Sequence, residues 1–225
     1  MQFKSIIKKL ESLTNQECID GMARYGIVSK KVYGVSLPEL RAMAAKIGID
    51  QKLAEKLWKF GAYETKILAP LIVDPKKVDD KLLEKWVKDF DNWAVCDNAC
   101  MHLFRKTDLA HKKVREWTKR KEEFAKRAGF ALMSTLVVHD KSASDALFIK
   151  YLSIIKKEAT DGRHYVKKSV NWALRTIGKK NKNLNKKAIV TAREIKKLDS
   201  KSAKWIAADA LRELTSEKIK KRLKK

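Results

Sequence analysis

The sequence predicts an all-α protein, on three observations. Only three prolines and eight glycines punctuate 225 residues, too few for the many tight turns of an all-β fold. No apolar–polar alternation persists for six positions, so no strand pattern is sustained. Apolar residues recur instead three and four positions apart along the whole chain, the spacing of a helix face.

In chain order the periodicity predicts helices over 2–13, 16–25, 37–47, 50–60, 63–73, 76–90, 92–106, 109–120, 122–138, 143–157, 163–180, 184–197, 200–214 and 216–224. Punctuation supports the breaks. In "YGVSLPEL", Ser36 is placed to cap a helix with Pro38 in its first turn, and Asp74 with Pro75 does the same in "VDPKKVDD". Asn181 and Asp199 stand at two later junctions. Helices of this length with short links and successive apolar faces suggest stacked pairs of the HEAT or armadillo kind, with a globular helical bundle as the competing architecture. Exact repetition is absent, so any repeats are divergent. One domain over residues 1–225 is expected.

The charge balance narrows function. Fifty-two Lys and Arg against 27 Asp and Glu leave +25, an excess that attracts polyanions because each phosphate contact releases a condensed counterion. Adaptation to heat or salt also produces lysine-rich surfaces, so the placement of charge has to decide. No run of about 18 apolar residues exists, which excludes a transmembrane helix. "MQFKSIIKKLESL" lacks the uninterrupted apolar segment of a signal peptide. Cys18, Cys96 and Cys100 form an odd set without a C-x-x-C motif, which suits reduced thiols in a cytosolic protein. None of the four histidines is paired at metal-ligand spacing, so a zinc or iron site is not expected.

Two helices carry the functional signal. On a helical wheel of 163–180, Val166, Val170, Ala173, Leu174 and Ile177 share one face that must point at the core. Lys168, Trp172, Arg175 and Lys179 form a nearly opposite stripe, and Arg163 to Lys187 holds nine Lys/Arg and no Asp or Glu. An aromatic framed by cations suits nucleic acid, with phosphates for the cations and a base or sugar for the ring. The alternative is a tryptophan packed under a neighbouring loop. In "DNWAVCDNACMHLF", Val95, Cys96, Ala99, Cys100, Leu103 and Phe104 sweep out a broad apolar arc. Trp93 and Asp97 stand four apart on its border, so ring and carboxylate point the same way. A partly desolvated carboxylate is costly unless compensated. A structural partner would do this, and so would a cationic ligand such as a purine alkylated at N3 or N7, which tryptophan faces also stabilise. In "EEFAKRAGFALMSTLV", Arg127 lies about a quarter-turn from an apolar face of Phe124, Ala128, Leu132 and Thr135. It is placed either to pair with Glu123 or to grip a phosphate.

At these residues the sequence resembles the DNA alkylation repair family of HEAT-like-repeat DNA glycosylases, the AlkD type. The likeness runs through "YGVSLPELRAMAAKIG", "LAEKLWKFGAYETKILAPLI", "FDNWAVCDNAC", "FAKRAGFALM" and "YVKKSVNWALRTIGKKN", five motifs in order over most of the chain. It implies a right-handed superhelical solenoid of divergent HEAT-like repeats whose basic concave face holds duplex DNA. It also implies hydrolysis of the N-glycosidic bond of N3- and N7-alkylpurines, without a metal or other cofactor and without extruding the base into a deep pocket. Trp93 and Asp97 match the family's W-x-x-x-D pattern, Asp97 being the catalytic aspartate, with Trp93 and Trp172 flanking the lesioned nucleotide as catalytic partners. Trp172 matches a second tryptophan, and Arg127 matches an arginine that contacts the DNA backbone. Lys168, Arg175 and Lys179 are then candidate DNA-binding residues. The family pattern often has another acid directly after its first tryptophan, where this chain has Ala94.

The expected partner is duplex DNA carrying alkylated bases, with no membrane. The protein is expected to be a cytoplasmic monomer, associated with the nucleoid when bound. Two alternatives stay open: a non-catalytic helical-repeat nucleic-acid-binding scaffold with Asp97 structural, and a protein-interaction solenoid whose basic face meets an acidic partner.

Overall fold

A computed structural model of the protein describes residues 1–224. Among them lie fourteen α-helices and no strand: α1 (Phe3–Ser12), α2 (Gln16–Arg24), α3 (Leu37–Ile47), α4 (Gln51–Phe60), α5 (Tyr63–Leu68), α6 (Asp80–Lys88), α7 (Trp93–His102), α8 (Ala110–Trp117), α9 (Glu123–His139), α10 (Asp145–Glu158), α11 (His164–Gly178), α12 (Lys182–Lys196), α13 (Lys201–Leu214) and α14 (Glu217–Lys224). The all-α expectation holds helix by helix, and the departures have local causes. The helix expected over 63–73 ends at Leu68 and tightens into a 3-10 turn, Ala69–Leu71, where Pro70 cannot donate to the ladder. Asp74 caps only another 3-10 turn, Pro75–Lys77, and Asp79 starts the longer helix by accepting from Leu82 N–H at 2.8 Å. Ser36 and Glu39 form the expected capping box on α3, and of the two later junction residues Asn181 caps α12, accepting from Leu184 N–H at 2.8 Å, whereas Ser200 and not Asp199 caps α13.

The described chain falls into two compact units, Met1–Ala110 and the part from His111 onward. The first is organised around α5, all six of whose residues are buried. Trp58 of α4 stacks on Trp86 of α6, with centroids 4.0 Å apart and planes at 1°. The Trp58 indole N–H donates to Asp89 at 2.9 Å, and the buried Lys66 ammonium donates to the Asp89 carbonyl at 2.8 Å. Two helices and the following loop are thereby tied to α5.

In the second unit α9, α11 and α13 lie side by side, with α10 and α12 packed behind them. Residues 125 to 137 of α9 are buried without interruption, the signature of a helix enclosed on all sides. Gly129 is required there, because a Cβ would stand 2.5 Å from the Thr118 backbone nitrogen. Where α9, α10 and α11 meet, the buried Lys126 ammonium bonds Glu158 at 2.6 Å and Asp161 at 2.9 Å, and Arg163 bonds Asp161 at 2.6 Å. Partial burial pushes the Asp161 carboxyl up, but Arg163 and Lys126 outweigh it and hold the group below the usual carboxylate range.

A carboxyl with a depressed folded-state pKa stabilises the fold above its ordinary range and loses that contribution as pH falls through the folded value. Asp161→Asn should therefore lower unfolding free energy by about 2 kcal/mol at neutral pH. In urea titrations at several pH values, the difference should close as the solution is acidified below the ordinary aspartate range.

Candidate functional site

The position of Asp97 follows from how α7 is held. Asn92 is almost fully buried, and its side-chain oxygen accepts from the N–H groups of Ala94 and Val95, both at 3.0 Å, while its amide donates to Asp91 at 2.8 Å. The expected apolar arc is inside: Val95, Cys96, Ala99, Cys100, Leu103 and Phe104 are all at most 1% exposed. With the helix start pinned and that arc sealed, Trp93 and Asp97 are left on the border, both partly exposed. Asp97 is not enclosed in the core.

The Trp93 ring is fixed from the other side. Its indole N–H donates to the carbonyl of Tyr25 at 3.0 Å, and Tyr25 itself is 77% exposed. Trp93, Tyr25, Met22, Val35, Leu37 and Tyr63 line an apolar groove of about 390 Å³. One wall is the segment leading into α3, which a buried carboxylate holds. Glu64 of α5 accepts from the N–H groups of Tyr33, Gly34 and Val35 at 3.0, 2.7 and 3.3 Å. Gly34 has φ +73°, and a Cβ there would lie 2.3 Å from the Asn15 carbonyl oxygen, so only glycine fits. Burial pushes the Glu64 carboxyl up, against the pull of these amides. Sequence reasoning missed both Tyr25 and Glu64. A glutamate inside the apolar run "YETKILAPL" was the available signal for the second, and nothing local marked the first.

In the second unit, Val166, Val170, Ala173, Leu174 and Ile177 of α11 are fully buried. The opposite stripe turns outward as expected, with Lys168 exposed and Trp172, Arg175 and Lys179 half-buried. Its charge is not all available. Glu213 of α13 accepts from Arg175 and from Lys179, each at 2.8 Å, and Asp209 lies 3.6 Å from Arg175. These cations hold Glu213 below the usual range in spite of the burial that opposes them. The tract without acids is thus partly neutralised by acids from a helix more than twenty residues downstream. Trp172 borders a groove of about 430 Å³ with Val137, Val138, Lys141, Thr176, Lys179, Lys180 and Arg222.

Arg127 differs from its expected setting. It is 6% exposed, within the enclosed stretch of α9, and donates to the Tyr165 carbonyl at 3.0 Å. Glu123, the alternative partner for Arg127, accepts from the Tyr165 N–H at 3.1 Å. The two side chains therefore clamp one peptide segment at the start of α11. Among the described residues no group of three His, Cys, Asp or Glu is placed to hold a metal, and no helix is long and apolar enough to cross a membrane. Cys96 and Cys100 are buried, whereas Cys18 is exposed.

A family model for the DNA alkylation repair enzyme matches residues 6–214. The chain belongs to that family. The fold comparison agrees: the protein is similar, with TM-score 0.79 and 21% identity over 95% of both chains, to a structure from "a new family of proteins related to the HEAT-like repeat DNA glycosylases with affinity for branched DNA structures". The fold of this DNA alkylation repair family member is therefore of the HEAT-like repeat kind. A designed armadillo repeat protein in complex with the peptide (KR)4 is also similar, at 13% identity over 82% of this chain and 88% of that one, with TM-score 0.37. No curated protein matches the chain. The family match contains Trp93, Asp97, Arg127 and Trp172 and stops before α14.

Removing the Glu64 carboxylate strands three buried N–H groups at a cost of roughly 1 kcal/mol or more each. Glu64→Ala should therefore lower unfolding free energy by about 3 kcal/mol. It should also speed hydrogen exchange at the amides of residues 33–35, whereas glutamine, which keeps an acceptor, should protect them in part.

Proposed function

We propose that this protein is a monofunctional DNA glycosylase that hydrolyses the N-glycosidic bond of positively charged N3- and N7-alkylpurines in duplex DNA. The observation that carries the reading is Asp97. It is a carboxylate one turn after Trp93, left partly exposed beside the buried face of α7, in a member of a DNA alkylation repair family with a charge of +25.

An alkylated purine already carries positive charge, so it departs without a strong acid to protonate it. What remains is to stabilise the cation developing on deoxyribose and to place a water on C1′. A carboxylate fixed in advance does both, an electrostatic effect commonly worth several kcal/mol. Asp97 takes this role. The Trp93 ring, its edge held by the Tyr25 carbonyl, offers a face to the lesion. Trp172 and Lys168 engage the duplex, and Arg127 supports them by fixing the start of α11 rather than by reaching for a phosphate.

A second reading is favoured by the structural neighbour, whose family is described as having affinity for branched DNA structures. Under it the protein binds branched DNA without excision and Asp97 is structural. Ala94, where related sequences often carry a further acid, fits that reading as well.

The two readings separate in one assay. Incubated with N-methylated duplex, the protein should release free 3-methyladenine or 7-methylguanine. Asp97→Asn should slow release at least about a hundredfold, the order seen when a preorganised electrostatic group is removed, while affinity for the duplex stays within about threefold. No release by the wild type together with tight binding to a four-way junction would favour the second reading, whereas full release by Asp97→Asn would keep the glycosylase and take Asp97 out of its catalytic role.

A further inference from the structure

Helix α14 lies outside the stretch matched by the family model, which ends at residue 214. It is nonetheless anchored. It packs against α13, Ile219 is 5% exposed, and the Ser216 hydroxyl accepts from the Ile219 N–H at 3.4 Å. This docking brings Arg222 to the groove that Trp172 borders.

Four cations from separate segments meet there: Lys141 after α9, Lys179 and Lys180 at the end of α11, and Arg222 from α14. No carboxylate lines the groove. Lys179 is committed to Glu213, and Lys180 donates to the Val137 carbonyl at 2.7 Å with its ammonium 5.0 Å above the Phe148 ring. Among the described residues, Lys141 and Arg222 enter no ion pair. Burial, and then the charge of Lys141, hold Lys180 below the usual lysine range against the opposing pull of Asp140 and Asp145. Val137, Val138 and the Trp172 ring give the same groove apolar surface, which suits a sugar beside an anion.

We infer that α14 completes a phosphate clamp, in which Arg222 and Lys141 grip a phosphodiester of the duplex backbone while Trp172 lies against the neighbouring sugar. A guanidinium can engage two phosphate oxygens at once, and an ammonium supplies a compact second charge. The inference rests on the reading of α11 as a DNA-binding helix, and it adds a segment that the family match does not include.

The test is equilibrium binding of the full chain to an undamaged duplex from about 50 to 200 mM salt, a range over which each phosphate contact contributes about 0.9 to the slope of log K against log salt. Arg222→Glu, Lys141→Glu, their double variant and Trp172→Ala are compared with the wild type, and thermal melting confirms that each folds. Arg222→Glu should weaken binding at least about tenfold at low salt and flatten the slope by about one, and the double variant should flatten it by about two. Wild-type affinity and slope in Arg222→Glu, with binding weakened in Trp172→Ala, would overturn the clamp and leave α11 as the DNA-binding helix. A wild type that ignores duplex DNA, or a Trp172→Ala variant that binds it normally, would overturn the underlying reading and the clamp with it.

Discussion

The face that a helix buries against its neighbours fixes which of its side chains can reach solvent, and that constraint sets where the candidate site residues of this protein stand. On α7 the sealed arc from Val95 to Phe104 and the Asn92 cap leave Trp93 and Asp97 on the border. On α11 the buried face from Val166 to Ile177 leaves Lys168, Trp172, Arg175 and Lys179. Core packing sets the direction of each strip, and individual bonds then hold side chains within it, Trp93 to the Tyr25 carbonyl and Arg175 to Glu213. Hydrophobic burial, the main driving force of folding, thus also supplies the orientation that catalysis or recognition needs.

Buried polar groups refine that orientation. Glu64 gathers three amides around Gly34 and so shapes the wall of the groove beside Trp93. Glu123 and Arg127 hold the first turn of α11 by its N–H and carbonyl groups at Tyr165. Asp161, with Lys126 and Arg163, locks the neighbouring junction. These groups are costly to bury and, apart from the second oxygen of Glu64, find partners in place, and each stands next to a segment that carries a candidate site residue. A substitution among them would act on function at second hand, by moving a ring or a carboxylate.

Much of this was legible in the sequence, because periodicity and caps are local. The helix order, the buried faces of α7 and α11, and the partly exposed positions of Trp93 and Asp97 all follow from spacing alone. What was not legible depends on chain segments far apart. The acids that neutralise Arg175 and Lys179 come from α13, and no reading of 163–187 reveals Asp209 or Glu213. Arg127 reads as a flanking arginine on a one-sided helix, but α9 is enclosed on every side. Tyr25 enters only through a carbonyl bonded to a residue 68 positions later. Proline shifted two boundaries, at Pro70 and Pro75, where periodicity continued past the point that the backbone could follow.

If a fixed carboxylate stabilises the departing sugar cation, the lesion must bring its own positive charge as leaving-group activation. The most direct measurement is single-turnover base release from one duplex carrying either 7-methylguanine or uracil at the same position. A role of this kind for Asp97 predicts release of 7-methylguanine and release of uracil at least about a hundredfold slower, a barrier difference near 3 kcal/mol. Comparable rates for the two bases would contradict it.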